Sequence, residues 1–472
     1  MSFSENYFAD DQFEDINDEE LKSKVNSCKE MVAQGQIFSI LDNIEETIQL
    51  CMEYDYTEDG IFLADAVLAI APYNSEIWAF RGIFLNNLFE FEEAYNCFVK
   101  ALSLNPNDIE TLINKSIAED NLGMFEDAVE SLRKALAIEP DNEEALFSLG
   151  VMYERKEMFP EAISCFNTVV AKDIDYSEAW YELGYCYENS DLLDEALSAY
   201  EKFLDLEPYS STGWYNKGIV EVRQNEFEHA LTSFELSIAI KDDFPSVWFN
   251  LGVCHANLGR FNKALTAFKK AAELDQFDET IWFHVGQTNE DLGNYHDAIR
   301  FYTKAIQLDE NYYEAYLARG YCYDELGSLN RALSDFNKAI TLSEDSVDAL
   351  FAKADLLFSM NDLSESIVCL KQIVETDPGY FEAWYRLAET YIENGNWTEG
   401  IRAYNNCIKL DPENANSYYG KAKVNFLLSR TNEAIECLKS AFALDPTIKI
   451  KFVKEYPSES SSQIIKKLQE DS

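Results

Sequence analysis

The sequence predicts an all-α solenoid built from repeated helix–turn–helix units, and three observations carry that expectation. First, the 472-residue chain matches itself at a period of 34, a length that fits two short helices and their turns. With Ser75 taken as phase 1, phase 4 holds a large ring or a leucine in every copy, from Trp78 through Trp180, Trp214, Trp248, Trp282 and Trp384 to Tyr418. Second, small residues recur at phase 8, from Gly82 to Ala422. They recur again at phase 20, which is alanine in nine of eleven copies, with Ser366 and Gly400 the exceptions. Third, eleven copies fill residues 75–448 without a gap. Length by itself suggests about three domains, but an uninterrupted repeat makes a single array in which each unit contacts its neighbours.

The elements follow in chain order. Residues 1–17 are acidic and are expected to form a disordered tail. Residues 18–40 are expected to supply an N-terminal capping helix, because a solenoid end needs a cover. Residues 41–74, ending in Ala71-Pro72-Tyr73-Asn74, are a degenerate copy ahead of the eleven consecutive repeats at 75–448. Within a repeat, phases 4, 7, 8 and 11 share one face of a first helix, and phases 20, 24 and 27 share one face of a second. The small residues at phases 8 and 20 let the two backbones approach, and the phase-4 ring fills the space that remains. Gly123, Gly259, Gly293, Gly327 and Gly395 at phase 15 mark the end of the first helix. Proline at phase 32, as at Pro106, Pro140 and Pro208, stops the second. Phase 32 is not proline at Ile174, Asp242, Gln276, Glu310 and Glu344, so those second helices are expected to run further. Lys115, Lys217, Arg319, Lys353 and Lys421 at phase 7 read as aliphatic stems whose heads reach water. Phe203 at phase 27 predicts locally different packing. Residues 449–472 are expected to cap the far end, with helices over Thr447–Tyr456 and Gln463–Gln469.

The pattern resembles the tetratricopeptide repeat, a 34-residue helix–turn–helix unit, over about 400 residues. The resemblance implies a right-handed superhelix whose concave groove is lined by the first helices at phases 2, 5, 6, 9, 12 and 13, and whose role is binding protein. Carried over position by position, it points to Asn114, Asn216, Asn250 and His284 at phase 6. It points to Phe147, Tyr181, Tyr215, Phe249 and Phe283 at phase 5, and to Tyr185, Ile219 and Val253 at phase 9. An asparagine amide can both donate to and accept from a peptide backbone, and a row of rings offers an extended chain a flat wall. The family's carboxylate clamp needs cations at set groove phases. Here phase 2 is acidic in seven repeats, and the groove phases carry only Arg155, Arg223, Arg386 and Lys423. A neutral or basic partner segment is therefore expected.

Composition narrows the function classes. The chain has 86 acidic and 38 basic residues, for a net charge of -48, and is 47% hydrophobic. It can bury a large core, but its sign disfavours nucleic acid and anionic membrane surfaces. Eight acids and no base precede Lys22, with no apolar stretch for a signal peptide, and a cytoplasmic location is expected. The ten cysteines form no C-x-x-C pair, and several recur at a 68-residue spacing, such as Cys186, Cys254 and Cys322. This suggests growth by duplication of repeat pairs, with the thiols packed in helix interfaces rather than binding metal. The four histidines form no metal-binding motif, and no phosphate-binding or dinucleotide fingerprint is present. No catalysis, cofactor or metal is expected. The expected role is a groove-binding adaptor or scaffold. The alternative is a structural subunit that assembles through its edges or convex face.

Overall fold

A computed structural model of the chain describes residues 18–343 and 346–456. Among these residues there are 26 α-helices and no strands. The chain divides into two compact units, one ending at Ile240 and the other beginning at Lys241. Both are built alike. In the first unit, Ser177–Asn189 and Leu193–Leu206 form one antiparallel pair; in the second, Tyr313–Glu325 and Leu329–Leu342 form another. These ranges are phases 1–13 and 17–30, and the pair at residues 41–74, Leu41–Glu53 and Thr57–Ile70, has the same bounds. Ahead of it, helix Asp18–Ala33 buries Leu21, Val25 and Cys28 against Ile44, Ile48 and Val67. Helix Thr447–Glu455 packs Ile448 and Phe452 onto Tyr419 and Leu438 of the last repeat. The expectations for residues 1–17, Glu344 and Gln463–Gln469 lie outside the described residues.

What closes each pair is a ring lying on a bare backbone. In all seven repeats with glycine at phase 8, phase 24 is aromatic. At Gly184 an added Cβ would stand 2.6 Å from the Tyr200 ring, and at Gly320 2.5 Å from Phe336. Where phase 8 is larger, phase 24 is the slimmer Leu132, Leu370 and Leu438 opposite Ser116, Ala354 and Ala422; the fourth such repeat pairs Ala388 with Tyr404, whose ring lies instead against Gly420 of the next repeat. The same exchange explains Phe203. Its ring is buried against Gly213, where a Cβ would lie 2.6 Å away.

Helix ends are set by other residues than the prolines. The second helices Phe159–Lys172, Phe261–Leu274 and Tyr295–Leu308 lack the proline, yet they stop at phase 30 like the rest, so the expected extension does not occur. Two local interactions account for this. Aspartate at phase 31 accepts from the backbone N–H two residues on, as Asp173 does from Asp175 at 2.9 Å and Asp309 from Asn311 at 2.9 Å. The phase-4 indole then donates to the carbonyl of phase 32, whatever residue stands there: Trp180 to Ile174 at 2.9 Å, Trp282 to Gln276 at 3.1 Å, Trp384 to Pro378 at 3.0 Å. Phase 15 is left-handed even without glycine, as at Phe89 (φ 62°), Asp191 (φ 60°) and Asn361 (φ 63°).

The phase-7 cations also depart from expectation. Lys115, Lys217 and Arg319 do not send their heads to water. Lys115 is 15% exposed and pairs with Glu119, itself 1% exposed. Lys217 pairs with Glu201 at 3.2 Å, and Arg319 with Asp335 at 2.7 Å. Lys115 and Arg319 meet acids held by the packing, and Lys217 lies between the exposed Glu201 and the nearly buried Glu221 at 3.8 Å.

The indole bond can be separated from the bulk of the ring. Trp384→Phe should cost about 1 kcal/mol and Trp384→Ala about 3–5 kcal/mol. In both variants hydrogen exchange should accelerate first in helices Phe381–Glu393 and Trp397–Leu410. Equal losses in the two variants would contradict a role for the N–H.

Candidate functional site

The groove positions are carried by the first helices. In the first unit these are Ile109–Asn121, Glu143–Arg155, Ser177–Asn189 and Ser211–Arg223. The phase-5 rings there are only partly open, because each rests on core rings. Phe147 lies 5.5 Å from Phe166 and stacks on Tyr176 at 5.2 Å. Tyr181 sits 5.1 Å from Phe203 and Tyr215 6.0 Å from Phe234. Ile219 is half-buried. Tyr185 is different: it is 40% exposed and free to meet a ligand. Asn216 donates to the Tyr181 hydroxyl at 2.9 Å, which joins two neighbouring repeats. Asn114 instead donates to the carbonyl of Glu110, one turn back, at 3.0 Å.

The charges sort by sign. Arg155 pairs with Asp120 of the preceding repeat. Arg223 pairs with Glu188 at 3.5 Å and with Asp191 at 3.0 Å. Both groove cations of this unit are therefore matched by carboxylates. Glu154 and Glu182 face each other instead. Burial, the neighbouring Glu154 carboxylate and a hydrogen bond with it push the Glu182 carboxyl up to about 8. Burial also raises Glu154, against the pull of the Glu182 hydrogen bond and of Arg155. One Glu154 oxygen is buried without a hydrogen-bond donor among the described residues. Tyr181, Tyr185 and Cys186 all feel this pair. With the Glu182 carboxyl pushed up to about 8, the pair carries a proton at neutral pH. Burial raises Glu110 and Glu144 as well.

In the second unit, Phe249 and Phe283 are half-buried, 5.5 Å from Phe268 and 5.4 Å from Tyr302. Val253 packs into the same cluster as Phe249 and Phe268. His284 is stacked on Phe268 at 5.4 Å, with Phe249 and Phe283 edge-on at 5.1 and 5.5 Å. Burial lowers its pKa, so it stands as a neutral ring in an aromatic nest. Asn250 donates to the Ser246 carbonyl at 2.9 Å. Arg386 is held by Asp355 at 2.6 Å and Glu389 at 3.0 Å, and Lys423 by Glu455 at 2.9 Å.

The twelve positions therefore fall into four groups: Tyr185 is open, Asn216 is tied to a neighbouring repeat, Asn114 and Asn250 bond back to their own helices, and the remaining rings, Val253 and Ile219 are partly or wholly shared with the core. Sequence reading missed Glu154 and Glu182. They stand 28 residues apart, phase 12 of one repeat and phase 6 of the next, and comparing those two phases finds them. Among the described residues no group of three or more histidine, cysteine or acidic side chains is placed to hold a metal. Nine of the ten cysteines are buried, and desolvation pushes Cys51 up to about 12 and Cys165 to about 11, which leaves both thiols protonated and unreactive. Among the described residues no helix is long and apolar enough to cross a membrane.

Comparison with known proteins follows the same lines. No curated protein matches the chain. Solved structures that resemble it include MamA, at 27% identity over 34% of this chain and 94% of that one, with a TM-score of 0.34. YrrB, described as a TPR protein with an unusual peptide-binding site, shows 23% identity over 40% and 97%, with a TM-score of 0.37. The C-terminal part of a TPR repeat-containing protein from Cytophaga hutchinsonii shows 18% over 58% and 98%, with a TM-score of 0.41. Family models described as tetratricopeptide repeat match residues 75–108, 155–211, 245–278, 277–350, 347–380, 381–414 and 415–448. One described as TPR repeat matches 121–157. Together these span well over half of the chain, and with the paired helices of every repeat they show that it belongs to the tetratricopeptide-repeat proteins, a family of protein-interaction scaffolds.

Proposed function

We propose that this protein is a non-catalytic adaptor that holds an extended, neutral or basic segment of a partner protein along its first helices, centred on Tyr185 and Asn216. The observation that carries this reading is the pairing of charges. Arg155 and Arg223 are spent on the protein's own carboxylates, while Glu154 and Glu182 face each other with both carboxyls raised, and Arg155, the cation that acts on Glu154, is paired with Asp120. An acidic ligand would have to break existing ion pairs. A lysine or arginine need only displace a proton. Tyr185 supplies a ring face for the same cation. Asn216 keeps its amide oxygen for a backbone N–H, since its contact to Tyr181 uses the NH₂ group.

Immobilised nine-residue peptide libraries test this. Each library carries arginine, citrulline or glutamate at its fixed centre, with the other positions randomised. The arginine-centred library should be retained about tenfold or more over the citrulline-centred one, a difference of about 1.4 kcal/mol. Tyr185→Ala with Asn216→Ala should abolish retention. Tyr185 is exposed, so its loss leaves the core intact. Retention that survives the double variant would refute groove binding. The preference should vanish in E154Q/E182Q and persist in E126Q/D127N, which removes two carboxylates from an exposed helix start.

The glutamate pair also fixes a pH dependence. With the Glu182 carboxyl at about 8 in the folded protein, the native state binds more protons than the unfolded chain between the ordinary carboxyl range and pH 8. Stability contributed by this site therefore falls as pH rises through that window. The melting temperature of Glu182→Gln should equal that of the wild type near pH 5 and exceed it by about 2–4 °C at pH 9. A difference independent of pH would contradict the shared proton.

A further inference from the structure

Repeated helix pairs carry a hazard that a domain of unlike elements does not: the first helix of one repeat fits the second helix of another, within the chain or between copies. Of the eleven pairs, five have an apolar residue at phase 7 and six a cation: Arg81, Lys115, Lys217, Arg319, Lys353 and Lys421. Leu183, Tyr187 and Ala199 occupy phases 7, 11 and 23, and Leu387, Tyr391 and Ala403 repeat the same trio. In four of the six cationic repeats the phase-7 head is held by named partners. Arg81 donates to Asp65 of the preceding second helix at 2.7 Å and to the Cys97 sulfur of its own at 3.0 Å. Lys115 pairs with Glu119 and donates to Ser131 Oγ at 2.9 Å, and Ser131 donates to Glu119 at 2.7 Å. Lys217, Glu221 and Ser233 rebuild that triad three repeats on, with Lys217 also reaching Glu201 of the preceding second helix at 3.2 Å.

Arg319 makes the tightest of these layers. It binds Asp335 through two parallel hydrogen bonds at 2.7 and 2.8 Å, and its remaining nitrogen donates to Thr303 at 2.9 Å. The side chains of Arg319 and Asp335 are 14% and 9% exposed. One guanidinium thus ties helix Tyr313–Glu325 to its own partner, Leu329–Leu342, and to the preceding helix, Tyr295–Leu308. Asp335 is the only acid at phase 23 in residues 75–448. Against any other second helix, Arg319 would face alanine, serine, cysteine or phenylalanine and remain a buried, unpaired charge.

We propose that these charged layers are a pairing code: they add no net stability over a Leu–Tyr–Ala layer but make exchange of helices between repeats costly. Burying an ion pair is often no better than an apolar packing of the same volume, whereas burying one member alone is strongly unfavourable. That asymmetry separates correct pairs from incorrect ones without strengthening the correct pair.

The test uses the full chain. K217L/E221Y/S233A/R319L/D335A turns two layers into the Leu–Tyr–Ala trio already present elsewhere. Its melting temperature should equal or exceed that of the wild type. After unfolding in guanidinium chloride and dilution, the fraction that regains the original size-exclusion position and hydrogen-exchange pattern should fall by about half or more. R319D/D335R restores a matched pair and should refold like the wild type. R319L alone strands Asp335 and should lower the melting temperature. The proposal is overturned if the apolar variant refolds with wild-type yield, if the reversed pair refolds as poorly as the apolar variant, or if R319L melts like the wild type.

Discussion

Everything else in each repeat depends on how closely a phase-24 ring can lie on the backbone of the first helix. Where phase 8 is glycine the ring sits against bare main chain, and a single added carbon would stand only 2.5–2.7 Å from it, well inside van der Waals contact. That contact sets the spacing within the pair. The spacing decides which residues of the first helix are enclosed and which face out. Because the phase-24 ring fills the interior, the phase-5 ring must rest on its edge, as Phe147 does on Phe166 and Tyr385 on Tyr404. The aromatic row of the groove is therefore the outer layer of the core. Its chemistry is available to a ligand only along the faces that the core leaves open.

The same geometry carries the electrostatics. Each first helix presents phases 9 and 12 to phases 6 and 13 of the next, so charges meet across the boundary between repeats. Where signs differ, as at Arg155 and Asp120 or Arg386 and Asp355, the boundary is pinned by an ion pair. Where both are acids, as at Glu154 and Glu182, the boundary holds a proton instead. A half-buried pair of like charges costs stability that the surrounding repeats must supply. The cost is tolerable in an array, because each unit is supported from both sides.

Most of this fold was legible in the sequence because eleven copies average out the exceptions. Rings at phases 4 and 24 and small residues at phases 8 and 20 announce the helix pair. What escaped were pairwise terms. Proline at phase 32 looked like the stop signal, but Asp173 and the Trp180 indole end their helix without one. Lys217 read as a solvated head because its partners, Glu201 and Glu221, lie on a different helix and a turn further along its own. Phe203 announced a disturbance, yet its compensation at Gly213 lies ten residues on, in the next repeat. Glu154 and Glu182 are unremarkable singly and become a site only when phase 12 is compared with phase 6 of the following copy. A phase-by-phase reading is blind to such pairs, since it averages the positions whose differences matter.

Net charge is a poor guide to what this groove prefers. At physiological ionic strength, charges more than about 8 Å apart are largely screened, so most of the net charge of -48 is invisible at any one point along the array. Many of the acids belong to helix starts, where they offset the helix dipole. The sign felt by a ligand is set by the few groups within reach, and there the pairing of cations decides. Arg155 and Arg223, beside the proposed site, are already neutralised by Asp120, Glu188 and Asp191. Their removal from the balance leaves Glu154 and Glu182 as the local charge, and a shared proton keeps that charge from being fully developed until a cation arrives. In the proposed function, selectivity for a basic segment would therefore rest on which charges the protein satisfies internally, and a chain with the same composition but Arg155 unpaired would lose it.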